Sequence, residues 1–302
     1  MRFKSHLLLL LAIFFAGNVF AQEEDLLAGL EDDKPKKEKV FNAFKSSRVI
    51  MSHSMEMLRP GILDFRILHR FGNINQGVSE LFGLDNATIR LGLDYAVSDF
   101  LTVGIGRGTY NKEVDGFIKL RPIQQATGPK SLPFSLLIAG GATVKTTKWT
   151  DPTRKDYFSN RMGYYGQVIL GRKFSEAFTL QFMPTVVHRN LVFTTDDPND
   201  VFAAGVGGRL KLSKRISLNV DYYYVVNQEY FYTSQTDRLD RFNPLSIGFD
   251  IETGGHVFQL HFTNAVGMNE RVFLTETIND WANGDIQFGF NISRAFQIKK
   301  KK

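Results

Sequence analysis

The side chains able to do chemistry in this chain are charges set two residues apart, in phase with one another and out of phase with apolar neighbours. Asp64, Arg66 and Arg70 share one such run, and Arg90 and Asp94 share the next. Lys119, Arg121, Arg161, Arg209, Lys211, Asp221, Asp250 and Glu252 hold the same phase in later runs. That pattern describes strands with one wet face and one apolar face. If the strands close on themselves, the charges line a lumen, as a narrow aqueous channel or as ion pairs that shut it. Arginine and lysine outnumber the acids among them, so a weakly anion-selective lining is expected.

Nucleophilic and metal chemistry have less to draw on. A lipid hydrolase needs Ser, His and an orienting Asn or Asp near the bilayer rim. The nearest material is His261 with Asn264, and His188 with Asn190, and Gly-x-Ser-x-Gly is absent. His188-Arg189-Asn190 reads better as a loop cap, or as a contact for lipopolysaccharide phosphates. No catalytic residue is expected, and an enzyme acting on lipid is the least favoured class. The six histidines are scattered, and Asp196-Asp197 lacks the one-three-five spacing of a calcium loop, so neither metal nor cofactor is expected. Tyr222-Tyr223-Tyr224 could stack a sugar but fits an interfacial aromatic girdle better.

The elements that must position these charges begin after an export signal. Arg2 and Lys4 precede the apolar run Leu7 to Phe15 and a Val19-Phe20-Ala21 cleavage pattern, so residues 1–21 read as a signal peptide. No later stretch approaches the roughly 20 apolar residues of a spanning helix. The chain has no Cys, which leaves neither a disulfide nor a lipid-bearing cysteine. Export, short alternating strands and absent cysteine together indicate the outer membrane of a Gram-negative cell. The formal net charge of +6 is partly a terminal lysine tail, and basic and aromatic residues alternate across strand faces, so nucleic acid is not an expected partner.

Twelve strands are expected, an even number as single-chain barrels require. They run Gly61–Phe71, Thr88–Val97, Leu101–Gly108, Glu113–Arg121, Pro133–Lys145, Arg161–Phe174, Phe178–Asn190, Val201–Leu212, Ile216–Val225, Pro244–Glu252, Val257–Asn264 and Asp285–Phe296. Tight turns at Ser98-Asp99, Ser175 to Ala177, Ser213 to Arg215 and Thr253 to Gly255 alternate with long segments near Trp149–Tyr157, Leu191–Asp200, Asn227–Asn243 and Ala265–Gly284. Two connections strain the pattern: Pro122–Leu132 is long for a periplasmic turn and Thr109–Lys112 short for an outer loop.

Ahead of the barrel (59–296), residues 22–58 form a periplasmic arm. Gln22 to Ser47 is too charged to bury much surface, with a short docking helix conceivable at Asp25 to Leu30. Arg48 to Leu58 looks strand-like, yet parity forbids it to cross, so it is expected to enter the lumen from below or lie across its mouth. Inward glycines at 92, 104, 106, 163, 171, 205, 207, 248 and 289 leave space for it or ease sheet curvature. Residues 297–302 form a basic tail after Phe296, the aromatic that would serve as signal to the barrel insertion machinery.

Several strings resemble an uncharacterised family of outer-membrane β-barrel proteins from Bacteroidetes, over nearly all of the mature chain. They are Phe44 to Ile50, His69-Arg70-Phe71-Gly72, His188 to Leu191, Gly284 to Arg294 and, most specific, Gly255-His256-Val257-Phe258-Gln259-Leu260-His261-Phe262-Thr263-Asn264. The resemblance implies a closed antiparallel transmembrane barrel and carries no functional site. The expected function is passage or binding of small polar or anionic solutes. The alternative is a non-conducting scaffold that docks a periplasmic partner through residues 22–47, among outer-membrane lipids and lipopolysaccharide.

Overall fold

The computed structural model describes residues 36–148 and 155–299. The expected signal peptide, the arm before residue 36, its conceivable docking helix and the last lysines of the tail lie outside them.

Twelve strands form a closed antiparallel barrel in which every strand pairs with its neighbours in sequence. They are β1 (Ile62–Asn73), β2 (Ala87–Ser98), β3 (Leu101–Gly108), β4 (Glu113–Ile123), β5 (Ser135–Lys145) and β6 (Met162–Lys173). The circuit continues through β7 (Phe178–Arg189), β8 (Asp200–Lys211), β9 (Ile216–Val225), β10 (Leu245–Thr253), β11 (His256–Thr263) and β12 (Gln287–Gln297). The ladder of β12 with β1, from Gln287↔Asn73 to Gln297↔Ile62, closes it and leaves no edge for lipid to meet.

Alternation holds along the wall. On β8, Val201, Ala203, Gly205, Gly207 and Arg209 are buried, while Phe202 and Val206 point out. Exposed Leu91, Ile105, Ile118, Ile138, Phe249 and Leu260 extend this apolar belt over other strands. At the closing seam the outer aromatics stack, His69 on Phe290 at 4.7 Å and Phe71 on Phe288 at 5.8 Å. Among the described residues no helix is long and apolar enough to cross a membrane.

One strand boundary differs in a way that matters. Arg161 does not begin β6; it ends a 3₁₀ turn, Phe158–Arg161, whose next residue Met162 donates its N–H to Ser159 O. Arg161 instead pairs with Asp156 at 3.3 Å on the loop side.

The long connection between β4 and β5 has a use. Its residues Ala126–Thr127 pair with Glu38–Lys39 of the arm. From there the chain turns into the barrel, where residues from Ala43 to Met57 are almost all buried. Arg48 to Leu58 is not a strand, because the closed wall offers it no ladder. It bends back on itself through a single Arg48↔His53 bridge, with Ser54 N donating to Ser47 O at 3.0 Å. Other backbone groups bond within the segment or to wall side chains, as buried backbone must find partners. Met55 N donates to Gln181 Oε1 at 2.7 Å, and Val49 O accepts from Gln259 Nε2 at 2.6 Å.

From the opposite end, the connection between β11 and β12 also enters the lumen, rather than remaining outside as expected of an outer loop. It carries α1 (Glu270–Thr275), all six residues buried, with Asn269 accepting from Val272 N at its start. Phe273 and Leu274 meet Val49, Ile50, Met51, Met55 and inward wall residues Leu137, Ile169, Met183 and Val187 in one apolar cluster. The lumen thus holds an apolar core, where either a narrow aqueous channel or charges paired across the bore were expected.

Candidate functional site: a lumen closed from both ends

The two inserted segments meet in the middle. Arg48 donates through NH1 to Glu270 Oε1 and to Met51 O, both at 2.8 Å. His53 Nε2 lies 3.0 Å from Tyr165 Oη on β6 and 3.5 Å from the same Glu270 oxygen. Burial depresses the His53 imidazole well below its usual value, and the cations Arg48 and Lys119 add to the effect. Burial also pushes the Glu270 carboxyl up, against the pull of Arg48. For Arg48, burial acts to lower its value, but the field of Glu270 prevails and keeps it charged.

Most of the charges expected to line the lumen are buried inside the barrel, where many of them bond the N-terminal segment. Arg66 bonds Ser46 Oγ at 2.9 Å, Ser47 Oγ at 3.0 Å and Asp64 at 3.1 Å, while Asp64 also accepts from Ser293 Oγ at 2.6 Å. Lys119 donates to Glu56 O at 2.7 Å, and Arg209 to Ala43 O at 3.1 Å. Asp221 accepts from Met51 N at 3.0 Å and Ser52 N at 2.9 Å. Asp250 accepts from Gln259 at 2.6 Å, and Asp94 weakly from Ser47 Oγ at 3.5 Å. Arg90 forks onto Asp115, its Nε at 2.8 Å. Arg70 is fully buried and stands apart, without an acid beside it among the described residues.

The others sit at the ends. Arg121 and Glu252 line a cavity of about 320 Å³ at the turn end, where Glu252 pairs with Lys45. Lys211 is half-buried at the end of β8. Arg161, displaced from the strands, borders a cleft at the loop end with Lys145, Arg189 and Arg271.

Acids absent from the expected set answer these cations. Arg271 on α1 pairs with Glu113 of β4 and, at 2.7 Å, with Glu276; Lys145 reaches Glu276 at 3.3 Å. Glu276 is held far below the usual carboxylate range although burial opposes it, because Lys145 and Arg271 flank it. Glu113 and Asp115 were readable, since they share the phase of Lys119. The helix start at Asn269-Glu270 was readable too, but nothing in the sequence turns it inward.

Some inward glycines make the expected room for an inserted segment, and others make room for side chains of the wall. A Cβ at Gly171 would meet Met55, at Gly207 Val49, and at Gly163 Arg271, so these three make room for the inserted segments. Gly106, Gly205 and Gly248 instead accommodate Arg90, Tyr223 and His261 of the wall itself.

The residues weighed for hydrolysis are occupied otherwise. His261 is sealed in the wall at 1% exposure, and Asn264 donates to Asn243 O and Asn279 O at 3.0 and 2.9 Å. His188 pairs with Asp200 at 2.7 Å on the outer rim, while Asn190 caps the loop through Ser159 O at 2.8 Å. Neither histidine has a serine partner among the described residues, where no three His, Asp or Glu side chains converge on a metal position either.

Residues 44–296 match the family model described as a membrane bound beta barrel domain, DUF5777. No curated protein matches the chain. Among solved structures, the COG4313 outer membrane channel from Pseudomonas putida F1 is similar at 14% identity and TM-score 0.48, over 80% of this chain and 98% of the channel. The NanC porin is similar at 8% identity and TM-score 0.46, over 78% of this chain and 98% of the porin. For the KdgM porin the figures are 5%, 0.45, 78% and 99%.

Proposed function

The chain belongs to the family of membrane-bound β-barrel domains, and from that premise we propose an outer-membrane barrel that admits small polar or anionic solutes only when its inserted segments move. The observation carrying this reading is the chemistry of the wall under the N-terminal segment. Lys119 and Arg209 bond its carbonyls, and Asp221 bonds its amides. Water replaces such partners readily, so a withdrawn segment leaves a hydrated, charged passage rather than a collapsed one. Cavities at the turn end and the loop end supply the two vestibules of that passage.

Planar-bilayer conductance tests it, comparing the mature protein with a version lacking residues up to Leu58. The expected result is near-silence for the first and steady current for the second, with the reversal potential reporting any anion preference. Equal current from both would remove the gate; silence from both would remove the pore. The second outcome favours the scaffold reading, which rests on the Glu38–Lys39 strand held at the barrel mouth. Under that reading a periplasmic partner is retained on residues 22–47 and lost when they are deleted.

A further inference from the structure

Arg70 is completely buried, yet among the described residues no carboxylate answers its charge. Arg48, Arg66, Arg90, Arg189 and Arg271 each face a carboxylate. Arg70 gives only NH1, to His69 O and Asn291 Oδ1 at 3.0 Å each, while its Nε and NH2 have no partner. Beside it stands His261, 1% exposed, with both ring nitrogens unpartnered.

The sheet register brings the two together. Gly289 of β12 lies between Arg70 of β1 and His261 of β11, opposite both. A Cβ on Gly289 would sit 2.5 Å from His261 Nε2 and 2.9 Å from Arg70 Cδ, so the side chains converge over that glycine. Thr88, opposite Arg70 on β2, carries a third unpartnered group, its hydroxyl. A buried guanidinium without counter-charge is strongly unfavourable, and so are buried N–H groups without acceptors.

We propose that Arg70 and His261, with the Thr88 hydroxyl, hold a monovalent inorganic anion of halide size in the lumen wall. The guanidinium fork, an imidazole N–H and a hydroxyl are all donors, and one net positive charge takes one negative charge. A phosphate or carboxylate would bring several acceptor oxygens, each needing its own donor, where the unpartnered groups suit a single spherical ion. The N-terminal segment lies over the site, because Asn291 bonds both Arg70 and, at 3.2 Å, Ile50 O. Met51 packs its sulfur 3.7 Å from Thr263 Oγ1 on the same strand as His261. Anion exchange therefore requires that segment to shift. The site does not depend on solute passage, since a non-conducting barrel would need the same counter-charge.

Crystals of the mature protein grown in bromide are expected to show an anomalous peak touching Arg70 Nε or NH2 and a His261 ring nitrogen. In solution, replacing gluconate by chloride at equal ionic strength should raise the melting temperature of the wild type. Arg70→Gln should abolish that increment, whereas Lys211→Gln at the turn end should keep it. A bromide structure with no such peak, the guanidinium bonded instead to waters or to the unpartnered Gln287 Oε1, would overturn the proposal. So would a chloride increment of equal size in Arg70→Gln.

Discussion

Arg48 and Glu270 join the N-terminal segment to α1 as an ion pair, and each is at most 2% exposed. Removing either partner strands a buried charge, at a cost of about 3–5 kcal/mol. Glu270→Ala is therefore expected to expose the Val49–Met55 amides to hydrogen exchange while the barrel ladder stays protected. The double variant Arg48→Met with Glu270→Leu should recover most of that protection, since apolar residues of similar volume suit the surrounding cluster. His53 adds a pH response. Its folded value lies well below the usual imidazole value, so its contribution is full above pH 6.5 and is lost as pH falls below that. Protection factors at Val49–Met55, corrected for the intrinsic exchange rate, should fall as pH drops from 6.5 to 5, and His53→Gln should flatten the change. Glu270, raised by burial, works in the opposite sense, so the difference between wild type and variant isolates the imidazole. At this scale the charges on the strands were legible because an ionic residue facing lipid is so unfavourable that phase alone assigns it inward. Their partners were not, because most come from segments without period.

At the level of elements, all twelve strands lie within two or three residues of where alternation puts them, and the tight turns fall where expected. Periodicity stated the wall and was silent on its contents. Val49, Met51 and Met55 among polar residues imitate a strand, but the segment they form answers to Gln181, Asp221 and Gln259, which are scattered over three strands. Inward Leu137, Ile169, Met183 and Val187 were equally hidden, since in an isolated strand an apolar residue reads as lipid-facing. The glycines at 171 and 207 separate wall from contents experimentally. Gly171→Leu would drive a side chain into Met55, and Gly207→Leu into Val49, without touching the outer face. Each variant should insert and remain heat-modifiable as a barrel. Protease added to the purified protein should then cut within residues 43–57, which are protected in the wild type.

For the whole molecule, closure depends on a seam formed by the first and last strands. Phe296 faces outward there at 40% exposure with Arg294 over its ring, and the chain continues for two more bonds, Ile298 N and Lys299 N to Gly61 O. If Phe296 carries the insertion signal, Phe296→Ala should lower the heat-modifiable fraction in membranes severalfold, whereas truncation after Ile298 should not. The reverse result would assign the signal to the tail.

The two segments that fill the lumen are anchored differently. The N-terminal one is joined to β1 at one end and held at the other by the short Glu38–Lys39 ladder, so once that ladder opens it can slide out along the barrel axis like a bolt. α1 is tied at both ends, to β11 and to β12, and can only swing like a latch. A bolt answers to tension on the chain from one compartment, and a latch to whatever grips the loops from the other. A barrel fitted with both takes a signal from each compartment, the bolt deciding whether a path exists and the latch how wide it stands.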